Sequence, residues 1–165
     1  MKVLLLVSDE LFGEALSRFT RKHNWPEDTE IKLLTVVTAQ DHQPGRTAEE
    51  KEKLFQNERL HFGRVLSRIQ TRLMKKRPDL VVTYEVIEGK PSSAILSFAE
   101  KWSPDMIVMG SHGRTGLERV ILGSVSFYIA SHAPCSFCVV RIPESEVLDL
   151  DLDETDIPDE MKTYA

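Results

Sequence analysis

Apolar residues fall into five short runs separated by longer amphipathic stretches. Val3–Val7, Ile31–Thr38, Leu80–Ile87, Met106–Met109 and Phe137–Val140 are often β-branched and bounded by turn or charged residues, the pattern of buried strands. The intervening stretches carry helical spacing. Leu11–Lys22 sets Leu11, Phe12, Ala15, Leu16 and Phe19 on one face, and Thr47–Lys76 does the same with Leu54, Phe55, Phe62, Val65, Leu66, Ile69 and Leu73. Ser92–Lys101, with Ile95, Leu96 and Ala99, and Val125–His132 complete the series. Strands that are apolar almost throughout, alternating with helices, predict an α/β domain: an open, doubly wound five-stranded parallel sheet with helices on both faces. Such sheets bind ligands beyond the carboxyl ends of their strands. Attention therefore goes to Ser8-Asp9, Thr38-Ala39 and the segment from Gly110 onward. Ala39–Arg46, with Pro44 and Gly45, reads as a mobile loop before the long second helix.

Composition narrows this picture. The 165 residues, 41% hydrophobic and 28% charged, suffice for one domain with its own core. No apolar run reaches the roughly 18–20 residues of a membrane helix, and the five apolar residues of Val3–Val7 are too few for a secretory signal. Two cysteines fit a reducing compartment, so a cytoplasmic protein without membrane contact is expected. The basic residues of Arg64–Arg77 interleave with an apolar helix face and lack paired aromatics; they read as a solvated face, and no nucleic-acid partner is expected. The net charge of −5 conceals a division. From Pro143 to Ala165 nine acids meet one base, giving −8, while the preceding 142 residues hold 20 bases and 17 acids, giving +3. A domain over residues 1–142 and an acidic tail over 143–165 follow. Within the tail, Val147-Leu148-Asp149-Leu150-Asp151-Leu152-Asp153 alternates apolar and acidic residues. It reads either as a disordered solubilising tail or as a segment that docks by burying Leu148, Leu150 and Leu152.

The densest chemical signal follows the fourth strand: Met109-Gly110-Ser111-His112-Gly113-Arg114-Thr115-Gly116, continuing to Leu122-Gly123-Ser124-Val125-Ser126. Glycines after a buried strand let backbone amides approach a ligand closely and permit positive φ. Ser124 is expected to cap the helix that follows, whose amino end suits phosphate. Ser126 adds a hydroxyl and Arg114 a positive charge. Glycine-rich turns also occur without bound phosphate, and both readings stand on spacing alone. Neither a P-loop ending nor the G-x-G of a dinucleotide fingerprint is present, which argues against NAD chemistry.

The spacing Gly110-x2-Gly113-x9-Gly123-Ser124 resembles the nucleotide-binding pattern of the universal stress protein family, in its ATP-binding branch. Pro104–Arg114, Gly89-Lys90-Pro91, Ala133-Pro134-Cys135 and the ending Val139-Val140-Arg141 are similar to family sequences too, so the likeness spans Lys2 to Arg141. The resemblance implies a Rossmann-like, adenine nucleotide alpha hydrolase-like fold that binds ATP, any Mg2+ arriving with the nucleotide. It implies that Gly110, Gly113, Gly123, Ser124, Val125 and Ser126 contact phosphates and ribose, with Met109 beside the ribose. Asp9 matches an acid that helps hold the adenosine, and Val36 the apolar residue facing adenine, or Val37 if the register slips by one. It further implies a homodimer through the final strand, Phe137 to Arg141, and other protein partners of unknown identity. Leu11 departs from a small polar residue usual two places after the acid, Glu10 adds a second charge there, and Ser136 replaces a common proline.

The remaining candidates are weaker. His112, inside the loop, either touches a phosphate or braces the loop, and His132 reads as a cation at a helix end. No histidines and carboxylates show metal spacing. Cys135 and Cys138 flank or enter the last strand, where three residues span roughly 10 Å, too far for a disulfide; structural cysteines are expected. Neither Ser8 nor Ser124 has a histidine placed as a base. The expected protein is an ATP-binding stress-response regulator with at most slow hydrolysis or self-phosphorylation. The alternative is a non-catalytic dimer or adaptor with a vestigial nucleotide loop.

Overall fold

A computed structural model describes residues 1–38, 47–112 and 123–142, the side chains of His112 and Ile142 excepted. The elements run β1 (Lys2–Leu6), α1 (Glu10–Lys22), β2 (Glu30–Val37), α2 (Ala48–Lys76), β3 (Val81–Glu88), α3 (Pro91–Trp102), β4 (Met106–His112), α4 (Ser124–His132) and β5 (Ser136–Ile142). The strands form one parallel sheet in the order β3-β2-β1-β4-β5. This is the doubly wound α/β arrangement that the hydropathy pattern predicts. The winding reverses between β1 and β4, so those two strands flank the switch point. The expected loop over 39–46 and the acidic tail over 143–165 lie outside the described residues.

Two apolar layers hold the sheet. Leu16 of α1 and Val65, Leu66, Ile69 and Leu73 of α2 pack against Val3, Leu5, Ile31, Leu33 and Val82 on one face. Ile95 and Ala99 of α3 and Ile129 of α4 cover Leu4, Leu6, Leu34 and Ile107 on the other. β1 sits between both layers, and Val3 through Val7 are all buried. That explains its uninterrupted apolar run. Gly13 marks the closest approach of α1 to α2: a Cβ there would collide with Ile69 Cδ1 and crowd Val7 Cγ1. Two ion pairs stitch the same helices, Arg68 to Glu10 and Arg72 to Glu14, each four residues further along both helices.

α2 begins with a capping box. Thr47 N–H donates to Glu50 Oε2 (2.8 Å) and Glu50 N–H donates to Thr47 Oγ1 (3.2 Å). Its 29 residues span about 43 Å at 1.5 Å per residue, whereas the eight residues of β2 or β3 reach only about 27 Å. The helix therefore overshoots the sheet. Leu54, expected on the apolar face, is 38% exposed for that reason.

Two boundaries correct the sequence reading. β4 continues through Gly110, Ser111 and His112, because these residues pair with Val140, Arg141 and Ile142 of β5. Ser124 is not the cap of α4 but its first residue; Gly123 is the N-cap. Cys138 packs toward the α1–α2 layer and Cys135 toward the α3–α4 layer. Both thiols are free, and burial pushes both above their ordinary pKa, which makes them poor nucleophiles. His132 ends α4 with its ring stacked on Tyr128 at 4.2 Å and Nδ1 2.9 Å from the Tyr128 carbonyl. No helix among the described residues is long and apolar enough to cross a membrane.

Candidate functional site

The carboxyl ends of β1, β2 and β4 meet at one edge of the sheet. Leu6 lies level with Leu34 and with Met109, so Asp9, Val36 and Gly110 all stand just above one row. Asp9 caps α1: its Oδ1 accepts from Phe12 N–H at 2.8 Å, and Ser8 Oγ lies 3.3 Å from Oδ2. One carboxylate oxygen is thereby fixed by the helix. The other points away from that bond, held only by a weak hydroxyl contact.

Val36, Met109 and Val125 pack against a single cluster on the α3–α4 face, all three half-buried. Val37 is 2% exposed, so Val36 is the member of the pair with surface to offer. Gly110 pairs with Val140 within β4 and has no positive φ. The expected use of left-handed backbone is therefore absent at Gly110. Gly123 likewise has φ −62°, and nothing lies within 4 Å of a Cβ built there. Among the described residues the space beside the amino end of α4 is open. The first backbone bond of α4 runs from Phe127 N–H to the Gly123 carbonyl (2.9 Å), leaving the N–H groups of Ser124, Val125 and Ser126 without helical partners. Gly123 has no side chain to cap them. Amides left over at the positive end of a helix dipole suit an anion.

A further residue belongs to this group. Ser111 is 5% exposed, and its Oγ has no hydrogen-bond partner. Strand alternation puts it on the same face as Met109. A buried hydroxyl left unpaired costs about 1–3 kcal/mol, so an incoming polar group at Ser111 would recover that cost. The sequence gives no cue to it beyond its place between Gly110 and His112. His112 ends β4 with its backbone paired to Ile142, but its side chain lies outside the described residues, as do Gly113 and Arg114. The structure thus gathers Asp9, Val36, Met109, Gly110, Gly123, Ser124, Val125 and Ser126 around the carboxyl ends of the strands and the start of α4. No group of three or more His, Cys, Asp or Glu side chains that could hold a metal occurs among the described residues.

A parallel sheet wound both ways from a switch point, with a helix start and a glycine-bearing strand end at that point, defines a doubly wound α/β domain, the class of sheet that takes ligands beyond the carboxyl ends of its strands. More narrowly, the chain belongs to the universal stress protein family, which it matches over residues 7–141. It is 48% identical over 62 residues to a universal stress protein of Methanocaldococcus jannaschii, covering 38% of this chain and 36% of that one. The matched stretch is likewise only 38% and 61% of the length of two relatives from a Synechocystis strain. A putative universal stress protein of Staphylococcus aureus (strain USA300) is 31% identical over 141 residues, 85% of this chain and 84% of its own. Among solved structures, UspA of Lactobacillus plantarum superposes with a TM-score of 0.63 at 25% identity, over 87% of this chain and 97% of the other. An Arabidopsis thaliana family member with AMP bound has the same fold, with a TM-score of 0.64 at 19% identity over 88% and 94% of the two chains.

Proposed function

We propose that this chain is an adenine-nucleotide-binding universal stress protein, with ATP as its ligand and Mg2+ entering with the nucleotide. One observation carries the reading: Asp9, the Val36–Met109–Val125 surface and the uncapped amino end of α4 converge on the carboxyl ends of β1, β2 and β4. In this reading the base lies on Val36, Asp9 receives the ribose hydroxyls, and Met109 flanks the sugar. The phosphates meet the amides of Ser124, Val125 and Ser126, with Gly110 and Gly123 keeping side chains out of their way. Gly113, Arg114 and His112 complete the phosphate side. The AMP held by the Arabidopsis relative supports this choice of ligand class.

In this reading occupancy is the output, with at most slow hydrolysis. Binding energy then acts through conformation and partner choice, in a cytoplasmic homodimer joined along β5. The test is calorimetric titration of the purified chain with Mg-ATP, alongside thermal unfolding. At a ligand concentration of 100 Kd, linkage adds about 2.7 kcal/mol. For a chain of this size that raises Tm by about 5–10 °C. Gly123→Val enters open space at an accepted φ but is a poorer N-cap than glycine, so it should lower the apo Tm by a few degrees, at a cost of about 1 kcal/mol, and lose the ATP-dependent rise. No heat of binding and no Tm rise in the parent protein would reject the nucleotide reading and leave a dimeric adaptor.

A further inference from the structure

Among the described residues no strand pairs with β3 on the side away from β2. The N–H groups of Val81 and Gly89 donate to the Thr29 and Val37 carbonyls, so odd-numbered residues of β3 turn their backbone toward β2. Val82, Tyr84, Val86 and Glu88 turn theirs outward. Among the described residues a single outward group is met: the Val82 carbonyl accepts from Gln70 Nε2 at 2.7 Å. Such a row of free N–H and C=O groups is a template for another strand.

The two flanks of this edge differ in chemistry. Val82 and Val86 face the α2 layer, and Ile87 faces the α3 layer. On the α2 side runs a groove of about 1090 Å³ bordered by Arg59, Arg64, Arg68 and Arg72, with the small residues Gly63 and Ser67 leaving room beside Tyr84. Arg68 and Arg72 are engaged by Glu10 and Glu14, whereas Arg59 and Arg64 have no ion-pair partner among the described residues. On the α3 side a cleft of about 500 Å³ is walled by Ile87, Ala94, Phe98 and Trp102, with Lys32, Lys101, Glu85 and Glu88 at its rim, Lys32 paired to Glu85. One flank is basic; the other has an apolar wall and a rim of balanced charge. A strand seated here is best served by acids on one face and leucines on the other.

We propose that residues 150–156 of this chain's own acidic tail add to β3 as an antiparallel sixth strand. Asp151 and Asp153 face the arginine groove, and Leu150 and Leu152 face the Ile87–Phe98 cleft. Glu154 and Asp156 fall beside exposed Thr83 and Val81, where their charges remain hydrated. Reach selects this register. Met109, Leu6, Leu34 and Glu85 lie in one row with Val139, so Ile142 and Glu88 end at the same height. From β5 to a sixth position beyond β3 is five strand spacings, about 24 Å at roughly 4.8 Å each. The chain from Ile142 reaches about 17 Å by Val147 and about 27 Å by Leu150, taking about 3.4 Å per residue. Leu148 therefore belongs to the crossing, and pairing begins at Leu150. The descent from the carboxyl ends of the strands makes the added strand antiparallel, and β5 stays free.

Amide hydrogen exchange of the full-length protein tests this at Val82, Tyr84 and Val86, whose N–H groups point outward opposite Thr155, Asp153 and Asp151. The expected result is exchange at least about tenfold slower than for an open amide, unchanged by dilution. Full-length Asp153→Pro, which removes the N–H directed at Tyr84, should abolish the slowing. Full-length Asp151→Lys/Asp153→Lys should weaken it, and adding Arg59→Glu/Arg64→Glu should restore part of it. Open-amide rates in the parent protein overturn the proposal, as does slowing that survives Asp153→Pro. Slowing that disappears on dilution assigns the edge to a second copy and overturns the own-chain assignment. The crossing passes over the carboxyl ends of β4, β1 and β2, so exchange is measured on nucleotide-free protein, where its outcome does not depend on whether ATP binds.

Discussion

At the scale of single residues, the structure separates positions that hold the fold from positions free to meet a ligand. Ser111 is a candidate of the second kind only through its place between Gly110 and His112; its hydroxyl, 5% exposed and without a partner among the described residues, weakens the protein that contains it. Ser111→Ala should therefore raise the apo Tm while weakening ATP binding. Thermal unfolding with and without ATP reads both effects, and an unchanged affinity would remove Ser111 from the site. Gly89 is of the first kind. Its φ of +147° lies where L side chains rarely go, and a Cβ would stand 3.1 Å from Ala94 Cβ. Gly89→Ala should cost about 1–3 kcal/mol in urea unfolding, with nucleotide affinity per folded molecule unchanged. Arg77 and Asp79 close the turn after α2. Arg77 Nη1 donates to the His23 carbonyl (3.0 Å), and Nη2 donates to Asp79 Oδ2 (2.6 Å). The hydrogen bond from Arg77 holds the Asp79 carboxyl below its ordinary value of 3.8. A depressed folded pKa means the bond stabilises the fold above that ordinary value and is lost as pH falls through the folded value. Asp79→Asn should flatten this part of the acid limb of the stability–pH curve, measured by chemical unfolding, by lowering the neutral plateau slightly while leaving stability below the folded value unchanged.

Elements show where the sequence carries its own reading and where it does not. Every predicted strand and helix exists, because period-2 and period-3.6 apolar patterns report directly on which face is buried. The errors lie where long-range pairing overrides hydropathy. Gly110-Ser111-His112 looks like loop to any apolar scale, yet the neighbouring Val140-Arg141-Ile142 holds it in the sheet. The cap of α4 falls on Gly123 rather than the better-capping Ser124, which leaves the helix amides uncovered. Leu54 satisfies the helical pattern but sits in the overhang of α2, beyond the reach of the strands. At the site, the glycine spacing was legible, whereas the orphaned hydroxyl of Ser111 was not, since partnerlessness is a property of packing. The α1–α2 seam was also hidden. Its ion pairs differ in burial: the Arg72 and Glu14 side chains are 31% and 20% exposed, against 51% and 50% for Arg68 and Glu10. Arg72→Ala should thus destabilise more than Arg68→Ala in chemical unfolding, with both losses under about 1 kcal/mol. Equal losses would mean that burial does not strengthen the seam.

Among the described residues the sheet ends in two edges of contrasting chemistry, β3 and β5, and that contrast bears on assembly. β3 is bordered by arginines and holds an outward carbonyl tied by Gln70. At β5, Ser136 N–H donates to the Asp105 carbonyl, so Phe137, Val139 and Arg141 turn their backbone outward, all between half-buried and exposed. Phe127, 65% exposed, and Tyr128, 44% exposed, add apolar surface on α4. An apolar edge with free backbone groups favours self-pairing, whereas a cation-lined edge disfavours a second copy of itself. The homodimer proposed here therefore forms across β5. Val139→Lys places a charge on that edge, and two copies would oppose like charges across the joint. Sedimentation should show a monomer for Val139→Lys where the parent chain is a dimer, with Phe127→Ser weakening the dimer by a smaller step. The ATP affinity of the monomer decides what the dimer is for. If it is unchanged, each subunit binds alone and assembly serves partner recognition. If it falls with dimer dissociation, nucleotide and assembly are linked, and ATP must then strengthen the dimer by the same factor.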